Sequence, residues 1–182
     1  MSREGGFSLI ELLIVVGIML IVAAIAIPSL LRSRMAANEA SAAHSLKQIG
    51  TANTLYSTLY EQGYAGRLAY LGPTSGACAA VSFGCADFLD SALSGVNPVT
   101  ANPVKSGYRF TYYPANPNPD PANPNPTWAV VATPTGPGST GVSTFCFDNS
   151  NIIWKDSSGG LNTATPAGCA ATWPVGGNVG PT

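Results

Sequence analysis

Charge is what this chain has least of. Eight Lys and Arg, nine Asp and Glu and a single His are spread over 182 residues, for a formal net charge of -1. A protomer so sparsely charged has no basic patch for a phosphate backbone, which excludes electrostatic DNA binding by one copy and leaves it only to arrayed copies. The lone histidine, His44, falls in an alanine-rich helical stretch far from the cysteines. A serine or cysteine triad therefore has no base partner, and His44 reads as a surface or subunit contact. Cysteine is scarce too. Cys78 and Cys85 lie close together, as do Cys146 and Cys169 in the last quarter; four cysteines allow three connectivities, and proximity favours these two pairs. The second would close a loop of about 24 residues and stabilise by roughly 3 kcal/mol on a chain-entropy argument. A zinc site competes weakly, because no histidine accompanies the cysteines. Bridges of this kind imply an oxidising compartment.

What the chain has in abundance is apolar length at its start. A polar leader, residues 1–6, abuts residues 7–31, whose only acid is Glu11. At about 1.5 Å per residue these 25 or so residues reach about 37 Å, against a hydrocarbon core of about 30 Å. A secretory signal is cut after its apolar core; the small pair Gly5-Gly6 lies before this one, so a cut there retains the apolar segment.

The run Gly6-Phe7-Ser8-Leu9-Ile10-Glu11-Leu12-Leu13 resembles the processing motif of type IV prepilins and type II secretion pseudopilins. The likeness continues from Ala26 to Ala40 and covers about the first quarter of the chain. It implies a prepilin peptidase that cuts between Gly6 and Phe7 and methylates the new amine of Phe7. It also implies that Glu11 pairs with the Phe7 amine of a neighbouring subunit during assembly.

Elementary energetics agree that Glu11 needs a partner. A carboxylate at the centre of a membrane helix costs on the order of 3 kcal/mol, which snorkelling or the positive end of the helix dipole offsets in part. In an apolar seam such a group also penalises misaligned packing. Gly17 and Pro28 interrupt the helix formers, and a kink or break is expected between Ala24 and Pro28.

Residues 34–59 contain no proline, and Leu46, Ile49, Asn53, Tyr56 and Tyr60 recur at spacings of three and four, so the helix is expected to run from about Ser8 to about Glu61. The spacing of Tyr56, Tyr60 and Tyr64 suits packing under a sheet better than electron transfer. A short helix is expected at 87–93, begun by Asp87 and ended by Gly95. Strand patterns occupy 108–113, 128–133, 142–147 and 152–155. The fold class that follows is α+β: a long amino-terminal helix, membrane-spanning in its first half, its second half packed on a small antiparallel sheet. The expected organisation is a leader at 1–6, a transmembrane and assembly helix at 7–31, its continuation at 32–62, a connecting region at 63–106, and a sheet with a disulfide-bonded carboxy-terminal region at 107–182.

Three further motifs carry weaker signals. Pro114-Ala115-Asn116-Pro117-Asn118-Pro119 recurs at residues 121–126, and reads as an exposed, solvated loop. Residues 136–141 match a dinucleotide glycine pattern, but a strand follows where a helix N-terminus is needed, so a turn is expected. Asp148, Asn149, Asn151 and Asp156 offer oxygen ligands for calcium, without EF-hand spacing; a β-turn is the better reading.

Arg32 and Arg34 follow the apolar run, and by loop charge alone would hold the bulk of the chain inside. The cysteine pairs and the prepilin junction point the other way, with the domain outside. The resemblance thus implies a non-enzymatic subunit of a type IV pilus filament, with no cofactor. Its partners would be copies of itself, the prepilin peptidase, an inner-membrane assembly platform with its ATPase motor, and the bilayer. It would reside in the inner membrane as a precursor and on the cell surface afterwards. A pseudopilin and a membrane-anchored binding module that never polymerises are the alternatives.

Overall fold

A computed structural model of the chain describes residues 7–74, 80–97 and 99–182. It is α+β, with the layout of a pilin. Helix α1 spans Leu9–Tyr60, followed by a short 3-10 helix at Leu68–Leu71 and helix α2 at Ser91–Ser94. Six strands follow: β1 Val104–Lys105, β2 Tyr108–Pro114, β3 Trp128–Pro134, β4 Thr144–Asp148, β5 Ile153–Asp156 and β6 Val179–Pro181. They form one antiparallel meander in chain order. The chain divides into two compact units at Arg34, each of which is described by itself.

Gly17 and Pro28 do not break α1. Both lie inside an uninterrupted helix. Proline removes one intrahelical bond, and the strong helix formers on either side, Ile27, Leu30 and Leu31 among them, carry the ladder past it.

In the second unit α1 presents a stripe. Ala42, Leu46, Ile49, Asn53 and Tyr56 are buried at spacings of three and four, and the apolar ones share one core with Tyr108, Phe110, Trp128, Val130, Ala132, Phe145 and Phe147. These sheet residues point to one side because strand side chains alternate. Gly50 sets the closeness of the approach, because a Cβ there would run into the ring of Phe147. The opposite face of the sheet has its own, smaller core, where Ala129, Val131 and Cys146 meet Ala164, Cys169 and Trp173 of the carboxy-terminal segment. Cys146 and Cys169 are bonded across 23 residues of sequence, and Trp173 Nε1 donates to the Thr163 carbonyl at 2.8 Å. Cys85 is also bonded; Cys78, the partner expected for it, lies outside the described residues.

Two local expectations are corrected. Asp90, not Asp87, starts α2, its Oδ1 accepting from the N–H groups of Ala92 and Leu93 at 3.1 and 2.9 Å, while Gly95 ends it at φ 73°. Asp87 is unavailable because Ala86, Asp87 and Phe88 donate their N–H groups to Tyr70, Gly72 and Leu71, which holds this stretch out of helix. The proline repeat is not simply solvated. Asn125, in its second copy, is buried; its backbone N–H donates to Gln62 at 2.9 Å and its side chain to the Ala65 carbonyl at 3.0 Å. That carbonyl also accepts the Tyr112 hydroxyl at 2.8 Å, and the Ala65 N–H donates to Asn53 Oδ1 at 3.2 Å, so one polar cluster ties helix, connector, sheet and repeat together.

The Gly50 contact makes a prediction with an unusual sign. Alanine exceeds glycine in helix propensity by about 1 kcal/mol, yet Gly50→Ala is expected to destabilise by about 1–3 kcal/mol through overpacking against Phe147. Chemical denaturation of the two proteins checks it, with Gly17→Ala as the control that meets no such neighbour.

Candidate functional site

The first unit is a helix with nothing to bury itself against. Phe7 is 86% exposed, and the large apolar side chains from Leu9 to Leu31 are exposed on every side rather than along one stripe. A helix apolar all round belongs in lipid or in the core of an assembly, because water on such a surface is unfavourable by about 25 cal/mol for each Å². Leu9–Tyr60 is the one helix among the described residues long and apolar enough to cross a membrane. Glu11 is the acid in its first turn, and its Oε2 accepts the Ser8 N–H at 2.9 Å. Within one chain the carboxylate thus offsets the unpaired donors at the helix start. It is exposed, so its remaining acceptor capacity faces outward. Gly6, the other side of the expected cleavage junction, lies outside the described residues.

Residues 1–27 match the family model described as the prokaryotic N-terminal methylation motif. The chain starts with a prepilin-type leader. That leader, on an apolar helix of this length, marks a membrane-anchored precursor of the type IV pilin-like or pseudopilin kind, a structural subunit. Neither a curated protein nor a solved structure matches the chain.

The second unit contains an anchor that the periodicity of the sequence did not disclose. Glu39, on α1, reaches the chain entering β4: its Oε1 accepts from the N–H groups of Val142 and Ser143, both at 3.1 Å, and its Oε2 from Ser143 Oγ at 3.1 Å and Lys155 Nζ at 3.3 Å. Burial alone would raise the Glu39 pKa, but the backbone donors of Ser143 and Val142, then Lys155, hold it below the ordinary carboxylate value. Flanking it on the helix, Asn38 Nδ2 donates to the Thr140 carbonyl at 2.8 Å and Ser41 Oγ to Ser106 Oγ at 2.9 Å. An acid followed by small residues on a helix gave no hint of this, since its partners lie about 100 residues on.

The structure separates the oxygen ligands suggested for calcium. Asp148 ends β4, and Asp156, at the end of β5, pairs with Thr144 at the start of β4, so the two carboxylates stand at opposite ends of the hairpin. Asp148 accepts from the N–H groups of Ser150 and Cys169. Asp156 accepts from Ser158 Oγ at 2.6 Å and from the Leu161 and Ser158 N–H groups at 2.9 Å each; burial opposes its charge, and these donors, the Ser158 hydroxyl first, still hold its pKa below the usual carboxylate value. Asn149 and Asn151 are exposed in the turn. Among the described residues no three His, Cys, Asp or Glu gather as a metal site. Residues 136–141 form the turn joining β3 to β4, closed by the Gly138 N–H donating to Gly141 at 2.8 Å. His44 is exposed on α1. Tyr56 is buried, its hydroxyl donates to the Phe83 carbonyl at 2.8 Å, and burial pushes its pKa up to about 12, as suits a packing residue.

The lowered Glu39 value fixes the sign of a pH effect. A depressed folded-state pKa contributes stability above the unfolded value, about 4.3 for glutamate, and loses it as pH falls through the folded value. Melting temperature measured against pH is expected to drop more shallowly below about 4.3 in Glu39→Gln than in the parent protein. Glu39→Ala is expected to cost about 2 kcal/mol near neutrality, mostly through stranded backbone donors rather than the partly exposed Lys155 pair.

Proposed function

We propose that this chain is the structural subunit of a type IV pilus filament, cut by the prepilin peptidase between Gly6 and Phe7, methylated on Phe7, and polymerised through residues 7–31. The observation that carries the reading is an apolar surface exposed around the whole helix, headed by a single acid, directly after a methylation motif. Lipid covers that surface in the precursor, and equivalent helices cover it in the filament. Since lipid is as apolar as the helix, the exchange is driven by packing and polar pairing rather than by escape from water. Extraction therefore requires work, assigned to an inner-membrane platform and its ATPase motor.

Cleavage converts the Phe7 amide into an amine, and Glu11 stands one turn along from it. Pairing of Glu11 with the Phe7 amine of the next subunit neutralises both charges in the seam and sets the axial register. The polypeptide has no catalytic part in this scheme. The unit beyond Arg34 faces outward and forms the filament surface outside the cell.

Shearing filaments from intact cells and weighing the protein in sheared and envelope fractions tests the reading. The expected result is abundant sheared protein that begins at methylated Phe7, and Glu11→Ala is expected to remove the filaments while leaving the cleaved protein in the membrane. Processed protein confined to the envelope points to a pseudopilin. Insensitivity of any assembly to Glu11→Ala points to an anchored binding module, and an uncut Met1 start overturns the processing step.

A further inference from the structure

The charges of the first unit stand at two levels. Glu11 marks one, Arg32 and Arg34 mark the other, and the 20 residues between them, Leu12 to Leu31, carry none. At about 1.5 Å per residue that stretch spans about 30 Å, the thickness of a bilayer's hydrocarbon core. The helix runs without a break through both arginines. With Glu11 in one headgroup layer, Arg32 and Arg34 therefore stand in the opposite one.

Neither arginine has an acid of its own. Both are exposed, and neither side chain is in an ion pair or hydrogen bond among the described residues, whereas Lys105, Lys155 and Arg67 are engaged by Asp90, Glu39 and Asn118. Glu11, the one acid among the described residues of this unit, is 21 residues from Arg32, which puts it about 32 Å away along the helix. Ser33, between the two, turns its hydroxyl back to the Ser29 carbonyl at 3.1 Å. Each helical residue advances by about 100°, so Arg32 and Arg34 project about 200° apart, on opposite sides of the helix.

We infer that Arg32 and Arg34 bind the phosphate groups of anionic phospholipids while the chain is in the membrane, one headgroup on each side of the helix. A guanidinium in bulk water needs no partner, but at the hydrocarbon boundary the strongest acceptors at hand are lipid phosphates, which it meets through two parallel hydrogen bonds. Its apolar stem lies along the last turn of the membrane segment while the charged head stays among the headgroups. Anionic lipids are favoured over zwitterionic ones, whose own amine already cancels the phosphate charge. Because the two sites face apart, a lipid that carries two linked phosphates has no advantage over two single ones. The inference rests on the membrane anchoring of the precursor and not on polymerisation, and it holds for either direction of the helix across the bilayer.

The test reconstitutes the full-length chain at one copy per nanodisc, so that no second copy supplies an acid, in an equal mixture of phosphatidylglycerol and phosphatidylcholine. The discs are opened in mild detergent, and the lipids that stay on the chain are counted by native mass spectrometry. The ratio of retained phosphatidylglycerol to phosphatidylcholine is expected to fall about threefold in Arg32→Gln, about threefold in Arg34→Gln and about tenfold in the double variant, with Arg67→Gln unchanged. Cardiolipin, compared per phosphate, is expected to be held no more tightly than phosphatidylglycerol. A ratio unchanged in the double variant, or one that falls as far in Arg67→Gln, overturns the proposal and leaves the membrane anchor standing. A strong advantage of cardiolipin per phosphate overturns the placement of one headgroup on each side. A chain that does not enter the disc overturns the anchor and the proposal together.

Discussion

A helix that is apolar on every side cannot be covered by the chain it belongs to, and this constraint organises the molecule. A globular helix solves its burial problem with one stripe, as α1 does beyond Arg34, where Leu46, Ile49 and Tyr56 meet the sheet. Before Arg34 there is no stripe and no sheet. The cover must come from lipid or from other chains, and in the filament proposed above the single acid in the first turn decides which arrangements of those chains are tolerable.

Anchoring the second unit falls to a few polar contacts placed at the edges of a well-packed core. Glu39 joins the helix to the entry of β4, and the cluster of Asn53, Ala65, Tyr112 and Asn125 joins the helix end to the connector and the sheet. Between them Gly50 lets Phe147 lie against the helix backbone. Directional hydrogen bonds thus set position along the helix, while the apolar residues supply most of the burial. On the far face the disulfide and Trp173 hold down a segment that has only β6 as regular structure.

Much of this was legible in the sequence, for physical reasons that also explain what was not. Helix-favouring composition without proline from residue 34 to residue 59, a periodicity from residue 46 to residue 60, and strands of alternating or β-branched residues bounded by turn formers are local signals, and α1 and β2 to β5 were found from them within a few residues. β1 and β6 have two and three residues and leave no period to detect. The cap of α2 was misplaced by three residues because the choice between Asp87 and Asp90 is made by backbone bonds to Tyr70, Gly72 and Leu71, a tertiary matter. The roles of Glu39 and Asn125 were hidden for the same reason: each is defined by residues remote in sequence. Asp148 and Asp156 are the converse case, acids near in sequence that the hairpin holds apart, in keeping with the turn preferred over a calcium site.

The two copies of the proline repeat have the same sequence and different duties. Asn125 of the second is locked into the body of the protein, and Asn116 of the first closes the base of the loop onto it, its N–H donating to Asn125 Oδ1 at 3.0 Å. The far end is a turn around Asp120, whose carboxylate accepts from Ala122 and Asn123. Whole units gained or lost at that turn would lengthen or shorten the projection and leave its footing intact. A lineage could thereby change how far this loop reaches from the surface, by slippage at a short tandem repeat, without revising a single contact in the core.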